Sequence, residues 1–338
     1  MRKSVKLITG ANGEIGQGLI SKLYKQTRDN IITIDLSPIS AKFSEKVYTS
    51  FTGNILDKNL LNQINSEYEI SEIYHLAALL STRAEFSPQM AHDVNVTGTL
   101  NLLNMAVDQS MSQGKPVKFF FPSSIAVYGL RNLENKIKNS IIDEDKFCNP
   151  ETMYGCNKLY CENLGIYYSN YFQRLSDNYK NNLIDFRSIR FPGLISPNTI
   201  PSGGTSDYIP EMLHNAAKSK PYSCFVREST TMPFMAMADA IDAILKLMLA
   251  PQKNLNRNVY NIASFNPTAL EFKREIIKYY PNANINFCVN ERRQSIVDSW
   301  PENIDDFAAK SDWNWKPNFN FEKTFSEYLI PQINILYK

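Results

Sequence analysis

Tyr154 and Lys158 bracket the segment Tyr154-Gly155-Cys156-Asn157-Lys158. On a helix that spacing sets both side chains on one face. A tyrosine hydroxyl with an ordinary pKa of about 10 is a poor base at neutral pH, but a neighbouring ammonium favours its phenolate. Such a tyrosine can take the proton of an alcohol. A second hydroxyl, able to hold the same alcohol oxygen, stands at Ser124 in the pair Ser123-Ser124 that follows Phe119-Phe120-Phe121-Pro122. By spacing alone, the tyrosine and lysine read equally well as an ordinary amphipathic surface, so the chemistry needs support from elsewhere in the chain.

That support lies near the N-terminus. Leu7-Ile8-Thr9-Gly10-Ala11-Asn12-Gly13-Glu14-Ile15-Gly16 spaces Gly10, Gly13 and Gly16 three apart between a strand-like and a helix-like run. Gly10 permits a tight turn, Gly13 removes a side chain that would block phosphates, and Gly16 lets helix and strand pack closely. The helix N-terminus then offers amides and partial positive charge to a diphosphate. The pattern is GxxGxxG rather than the commoner GxGxxG, and glycines in a loop are also ordinary turn residues. Asp35 closes Ile31-Ile32-Thr33-Ile34, near the ~20-residue offset at which a carboxylate meets the adenosine ribose hydroxyls. There it would repel a 2′-phosphate and favour NAD over NADP; the alternative is a loop cap ahead of Pro38. A nicotinamide would take the hydride and its cationic ring would further favour the phenolate, while the protein supplies alignment and charge. Glycine loop, acidic strand end, serine at a strand terminus and Tyr/Lys, in that order, are more specific than any one of them.

The elements that must position these residues alternate along the first 190 or so positions. Val5 to Thr9, Ile31 to Asp35, Ile73 to Ala77, Val117 to Phe121 and Ile184 to Arg190 read as strands, and Leu19 to Tyr24 and Met90 to Val107 as helices. The alternation predicts an α/β doubly wound parallel sheet, with Lys118-Phe119-Phe120-Phe121 as a buried central strand. After a Pro/Gly/Ser loop at Pro197 to Gly204, helices are expected near Asp207 to Ser219, Asp239 to Leu249 and Thr268 to Tyr280, around a segment Val259 to Ala263. This second part reads as a smaller, partly helical domain. The expected division is 1–198 with roughly 236–263 for a dinucleotide, and 199–235 with 264–338 for a substrate.

Composition narrows the partners. Thirty-six basic and 34 acidic residues give a formal charge of +2, and no basic run is dense enough to track a phosphate backbone, so nucleic acid is not expected. No window approaches the ~18 uninterrupted apolar residues of a membrane span, and with the fold expected to begin by Lys6 no signal or transit peptide is expected. Five scattered cysteines, at 148, 156, 161, 224 and 288, form no CxxC pair, which argues against a disulfide frame or zinc site and fits a reducing cytoplasm. His92 and His214 lack partners at metal spacing, and no metal is expected.

In order and spacing, Thr9 to Gly16, His75-Leu76-Ala77-Ala78, Asn95-Val96-Thr97-Gly98-Thr99, Ser123-Ser124-Ile125-Ala126-Val127-Tyr128-Gly129 and Tyr154-x-x-x-Lys158 resemble the extended short-chain dehydrogenase/reductase family. The resemblance implies a Rossmann sheet with a smaller substrate domain and NAD as cofactor. Further fragments are Leu79-Leu80-Ser81, Arg190-Phe191-Pro192-Gly193-Leu194-Ile195-Ser196, Gly203-Gly204-Thr205-Ser206-Asp207-Tyr208, Cys224-Phe225, Met232-Pro233-Phe234-Met235, Asp298-Ser299-Trp300-Pro301 and Ile304-Asp305-Asp306. These resemble the short-chain-type L-threonine 3-dehydrogenases within that family. Oxidation of L-threonine at its β-hydroxyl carbon by NAD+, giving 2-amino-3-ketobutyrate and NADH, is what the narrower resemblance implies.

Residue by residue, the resemblance makes Tyr154 the base, has Lys158 lower its pKa and bind the nicotinamide ribose, and has Ser124 hold the β-hydroxyl with Ser123 beside it. Family members often carry Thr where this chain has Ser124, and both offer a hydroxyl. The cofactor contacts implied are Gly10, Asn12, Gly13, Glu14, Ile15, Gly16, Asp35, Leu36, Asn54, Ile55, Leu76, Ala77, Ala78, Asn95, Tyr154, Lys158 and Phe191. Ser81, Ser124, Tyr154, Gly193 and Thr205 are implied to contact the amino acid, with Asp207 and Trp300 close behind.

Two departures stand out. Arg83 follows Ser81-Thr82 where the family more often has small residues, which bears on substrate scope. Asn54 replaces a usual Asp facing the adenine, where an amide still hydrogen-bonds. His75 reads as a packed strand-end residue, Cys156 as a spectator, and Asn95 either as a brace for the site or as a turn cap. Apolar stripes on Met90 to Val107 and Leu159 to Phe172 predict a homodimer through a four-helix bundle, as in the extended family, although packing on the sheet explains one face equally well. The rival activity is an NAD-containing sugar-nucleotide epimerase or dehydratase using the same Ser124, Tyr154 and Lys158. A third reading is a dinucleotide-sensing protein that has lost catalysis.

Overall fold

The computed structural model describes residues 2–26, 30–177, 179–198 and 204–337. Part of the Pro197 to Gly204 loop, including Ser202 and Gly203, lies outside the described residues. Lys3–Thr9 (β1), Ile31–Asp35 (β2), Thr49–Thr52 (β3), Tyr68–His75 (β4), Val117–Ser124 (β5), Ile184–Phe191 (β6) and Val259–Asn261 (β7) form one seven-stranded sheet in the order β7-β6-β5-β4-β1-β2-β3. The pairings of β1 with β2 and β4, of β2 with β3, and of β4 with β5 are parallel. Strand order reverses between β1 and β4, and the crevice beyond their carboxyl ends is where open α/β sheets bind ligands.

Burial on both faces explains why the central strands read as continuous apolar runs. Phe119, Phe120 and Phe121 are all buried, and Phe119 and Phe121 stack on Phe186 of β6. β3 escaped the sequence reading because Thr-Ser-Phe-Thr is a half-exposed edge strand with little apolar content. β4 begins at Tyr68 rather than Ile73: its first half has one buried residue, Ile70, among half-buried ones, and the pairing with β1 shifts register at Val5/Lys6. β4 ends at His75, so Leu76 and Ala77 belong to the following loop. β5 continues past Phe121 to take in both serines. The expected Met90 to Val107 helix is three pieces: Pro88–His92, a π-helical turn Asp93–Thr97, and Gly98–Gln113.

Two compact units divide the chain, Met1–Ser123, Asn157–Ile189 and Ile244–Val259 in one, and Ser124–Cys156, Arg190–Ala243 and Tyr260–Lys338 in the other. The first holds most of the large sheet and helices such as Glu14–Gln26 (α1) and Gly98–Gln113. The second holds short parallel pairs, Gly193–Ile195 with Phe234–Ala236, Tyr222–Cys224 with Ile285–Phe287, and Ile141–Ile142 with Asn303–Ile304. Its aromatic core includes Phe234, Phe272, Phe321 and Phe325. The division falls elsewhere than at residue 198, because residues 124–156 pack with later segments: Tyr128 Oη donates to Asn261 Oδ1 (2.8 Å), and Leu130 N–H to the Ser299 carbonyl (2.8 Å).

Candidate active site

The glycine loop is fastened at both ends. Gly10 has φ +68°, and a Cβ there would lie 2.7 Å from Ala77 N, so the loop after β4 closes on the glycine backbone and only glycine fits. Leu76 N–H also donates to the Thr9 carbonyl (3.1 Å). A Cβ on Gly16 would meet the Gly10 and Ala11 carbonyls at 2.6 Å, which ties the first turn of α1 to the same loop. Asn12 connects this loop to the one after β2. Its backbone N–H donates to Asp35 Oδ2 (2.9 Å), and its side-chain amide donates to Ser37 Oγ (2.9 Å) and to the Ser37 and Pro38 carbonyls (both 3.0 Å). Ser37 donates to Asp35 Oδ1 through both its amide and its hydroxyl (each 3.1 Å). Asp35 therefore caps the loop ahead of Pro38, as one sequence reading had it, and it stands at the end of β2 beside the glycine turn, as the other required.

Other expected cofactor residues surround this turn unevenly. Glu14 opens α1, and burial raises its carboxyl to about 7. Leu36 is exposed. The Asn54 side chain accepts from Leu56 N–H (3.0 Å), and Ile55 is buried.

His75 is buried and part of a directional chain. Thr99 Oγ1 donates to the Asn95 carbonyl (2.5 Å), so it accepts from His75 Nε2–H (2.9 Å). His75 Nδ1 then accepts from Thr9 Oγ1 (2.9 Å), which itself takes Ala77 N–H (3.3 Å). Burial, with a smaller contribution from Lys158, lowers its pKa to about 3 and holds the ring neutral. This is the packed histidine that the sequence suggested. Asn95, inside the π-helical turn, accepts from Leu79 N–H (2.7 Å) and donates to the Leu79 carbonyl (3.0 Å) and to Asn157 Oδ1 (3.3 Å). It braces the loop that carries Leu76 to Ser81. π-helical turns occur often at functional sites.

Lys158 is buried, and its Nζ donates to the Pro122 carbonyl (2.6 Å) and lies 4.5 Å from the Phe121 ring centroid. Burial pushes its pKa down to about 8, opposed by Cys161 and Glu162. Ser123 donates its hydroxyl to Glu162 Oε1, so its oxygen is engaged between β5 and the Met153–Asn170 helix. Sequence reading missed Glu162 and Asn157. The available signal was spacing: Tyr154, Lys158 and Glu162 recur every four residues along one helix.

In the second unit, Ser124 caps the short turn Ile125–Val127, and its Oγ accepts from Ala126 N–H (3.1 Å). An oxygen that accepts from an amide keeps its own proton to donate. The helix bearing Tyr154 starts one residue earlier, at Met153, with Thr152 Oγ1 accepting from Gly155 N–H (3.1 Å). Gly155 packs its backbone against the turn after Ser124: a Cβ there would lie 2.1 Å from the Ala126 carbonyl. This contact brings the start of the Tyr154 helix against the turn that Ser124 caps. Tyr154 is partly exposed, yet burial of its hydroxyl raises the pKa above the usual value.

The remaining expected substrate residues fall in both units. Ser81 opens the short helix Ser81–Phe86 in the first, with Arg83 exposed on it. Gly193, Thr205, Asp207 and Trp300 belong to the second, as does the buried Phe191. Gly193 packs on the Phe234 ring, Asp207 Oδ2 accepts from Gly204 N–H (2.7 Å), and Thr205 and Trp300 are buried. Among the described residues no cluster of His, Cys, Asp or Glu could hold a metal ion, and none of the five cysteines is in a disulfide.

Residues 6–263 match the model of the NAD dependent epimerase/dehydratase family. The chain is 34% identical over 327 residues to the mitochondrial L-threonine 3-dehydrogenase of Bos taurus, covering 96% of this chain and 81% of that one. Among solved structures it resembles an L-threonine dehydrogenase of Clostridium difficile, with a TM-score of 0.85 and 33% identity over 99% of this chain and 98% of that one. A monomeric L-threonine 3-dehydrogenase from a metagenome gives a TM-score of 0.83 and 36% identity, covering 99% and 100%.

Proposed function

The chain belongs to the NAD dependent epimerase/dehydratase family, and from that premise we propose that it oxidises L-threonine at the β-hydroxyl carbon to 2-amino-3-ketobutyrate. The substrate is taken from the similarity to L-threonine dehydrogenases, which runs over nearly the whole chain rather than the dinucleotide-binding part alone. The observation that carries the chemistry is a buried Lys158 ammonium one helical turn from Tyr154.

The glycine loop fits a dinucleotide: at Gly10 and Gly16 a Cβ would strike backbone, and Asp35 is pre-oriented by Asn12 and Ser37 beside that loop. Gly10, Asn12, Gly13, Ile15 and Gly16 would hold the diphosphate. Glu14, with its carboxyl near half-neutral at pH 7, repels it less than an ordinary glutamate. Asp35 would take the ribose hydroxyls, which makes NAD rather than NADP the cofactor, with Leu36, Asn54, Ile55, Leu76, Ala77, Ala78, Asn95 and Phe191 completing its contacts. When bound, the oxidised nicotinamide accepts the hydride and adds positive charge to the site.

The chain's own residues manage the proton and the alignment. Tyr154 takes the β-hydroxyl proton. Burial of that phenol works against its ionisation, so a cation is needed, and Lys158 supplies it. Ser124 donates its hydroxyl proton to the substrate oxygen. Ser123, bound to Glu162, works behind this set rather than on the substrate. Ser81, Gly193, Thr205, Asp207 and Trp300 would be the residues that contact the amino acid, as the resemblance implies.

Formation of NADH on adding NAD+ and L-threonine tests the reading. Turnover of a UDP-hexose without added NAD+, and none of threonine, would replace it with the epimerase activity. Free cysteines suit a cytoplasmic enzyme. The exposed Tyr160, Tyr167 and Met111 on the two helices expected to pair support a homodimer, and sedimentation decides between that and the monomeric state of one relative.

A further inference from the structure

We propose that Glu162 is a positioning residue for the Tyr154–Lys158 pair: its buried carboxylate, one turn beyond Lys158, keeps that side chain protonated where the reaction runs. The inference rests on the proposed alcohol oxidation and adds to it the group that sustains the cation.

An ammonium taken out of water gives up its proton unless a counter-charge holds it. Lys158 and Glu162 are 3% and 2% exposed, so solvent stabilises neither. Groups from three elements face Lys158. From β4 comes His75, held neutral with its pKa near 3. From β5 come the Pro122 carbonyl and the Phe121 ring, dipole and quadrupole only. From its own helix come Cys161, a thiol pushed up to about 11 by burial, and Glu162. Of these, Glu162 is the one carboxyl group, and it lies one helical turn from Lys158. Ser123 Oγ donates to its Oε1 and fixes the carboxylate.

Helical rise sets the sign of the net effect. Glu162 stands about 6 Å along the axis from Lys158 and about 12 Å from Tyr154, and Coulomb energy falls with distance. The carboxylate therefore favours the ammonium more than it opposes the phenolate.

Glu162→Gln is isosteric and keeps a partner for Ser123 while removing the charge. Activity should fall at alkaline pH as Lys158 loses its proton, and in this variant that limb of the kcat profile is expected about one to two pH units lower. Lysine labelled with 13C at Cε gives a second readout that needs no turnover: the resonance lost in Lys158→Met should titrate lower by the same interval in Glu162→Gln. Glu162→Asp, which withdraws the charge by one methylene, should move both readouts part of the way. A lysine titration that stays in place in both variants overturns the proposal, whether or not activity is lost. Should threonine prove not to be the substrate, the lysine titration still decides what Glu162 does.

Discussion

At the scale of single residues, the site depends on groups whose protonation is set by burial. Tyr154 and Lys158 are both disfavoured in their charged forms by desolvation, and in the proposed reaction each charge would offset the cost of the other. Tyr154→Phe removes the proton acceptor and keeps the ring. It is expected to lower kcat by on the order of 10² to 10⁴ and to leave NAD+ affinity within about twofold, read by equilibrium titration; a variant as fast as the parent removes Tyr154 from its role. His75 works through stability. Its pKa of about 3 in the folded protein lies below the ordinary value of 6.5, so the unfolded chain takes up a proton that the folded one refuses. That contribution is complete above pH 6.5 and drains away as pH falls towards 3, at about 1.4 kcal/mol per pH unit. Urea unfolding from pH 6.5 to 4.5 should show a shallower acid loss in His75→Gln than in the parent, and equal slopes would mean that another group sets the acid limit.

At the scale of elements, position comes from close backbone approach. Gly155 lies between Tyr154 and Cys156, and the Ala126 carbonyl occupies the space a side chain would need. Gly155→Ala must push the start of the helix away from the turn that Ser124 caps. The expected cost is on the order of 1–3 kcal/mol from overpacking, with a fall in kcat larger than any rise in the NAD+ KM. An alanine variant as active as the parent would show that Tyr154 tolerates this displacement. None of this contact was legible in the sequence, although its consequences were. Glycine loop, Asp35, Ser124, Tyr154 and Lys158 declare themselves through residue type and order, because each needs a particular chemical group at a particular strand end or helix face. The sheet was legible where burial on both faces enforces apolar runs, as in Phe119-Phe120-Phe121, and illegible at β3, an edge strand of threonine and serine. The hydrogen-bonded chain through Thr9, His75 and Thr99 stayed hidden for a different reason. Its members are polar residues paired across long sequence separations, and no local period announces such pairs.

At the scale of the whole molecule, cofactor binding should read out as stability. Most of the residues expected to hold the dinucleotide follow β1, β2 and β4, and those segments are cross-tied by Asn12 to Asp35 and by Gly10 to Ala77. Only the folded unit brings them together, so a ligand that binds there binds the folded state alone. At about 100 times its Kd, NAD+ then adds about 2.7 kcal/mol to stability. NADP+ at the same concentration should add less, because an Asp35 carboxylate on the adenosine ribose, as proposed, would repel its 2′-phosphate. Asp35→Ser removes that repulsion together with the hydrogen bonds from Asn12 and Ser37, so the free protein should itself become less stable. The informative quantity is therefore the ratio of the two cofactor-induced shifts in Tm within each protein. In the parent NAD+ should give the larger shift, and in Asp35→Ser the two should approach each other as the NAD+ shift shrinks and the NADP+ shift grows. A ratio that stays the same in both proteins would leave Asp35 as a cap for its own loop and move cofactor choice to another residue.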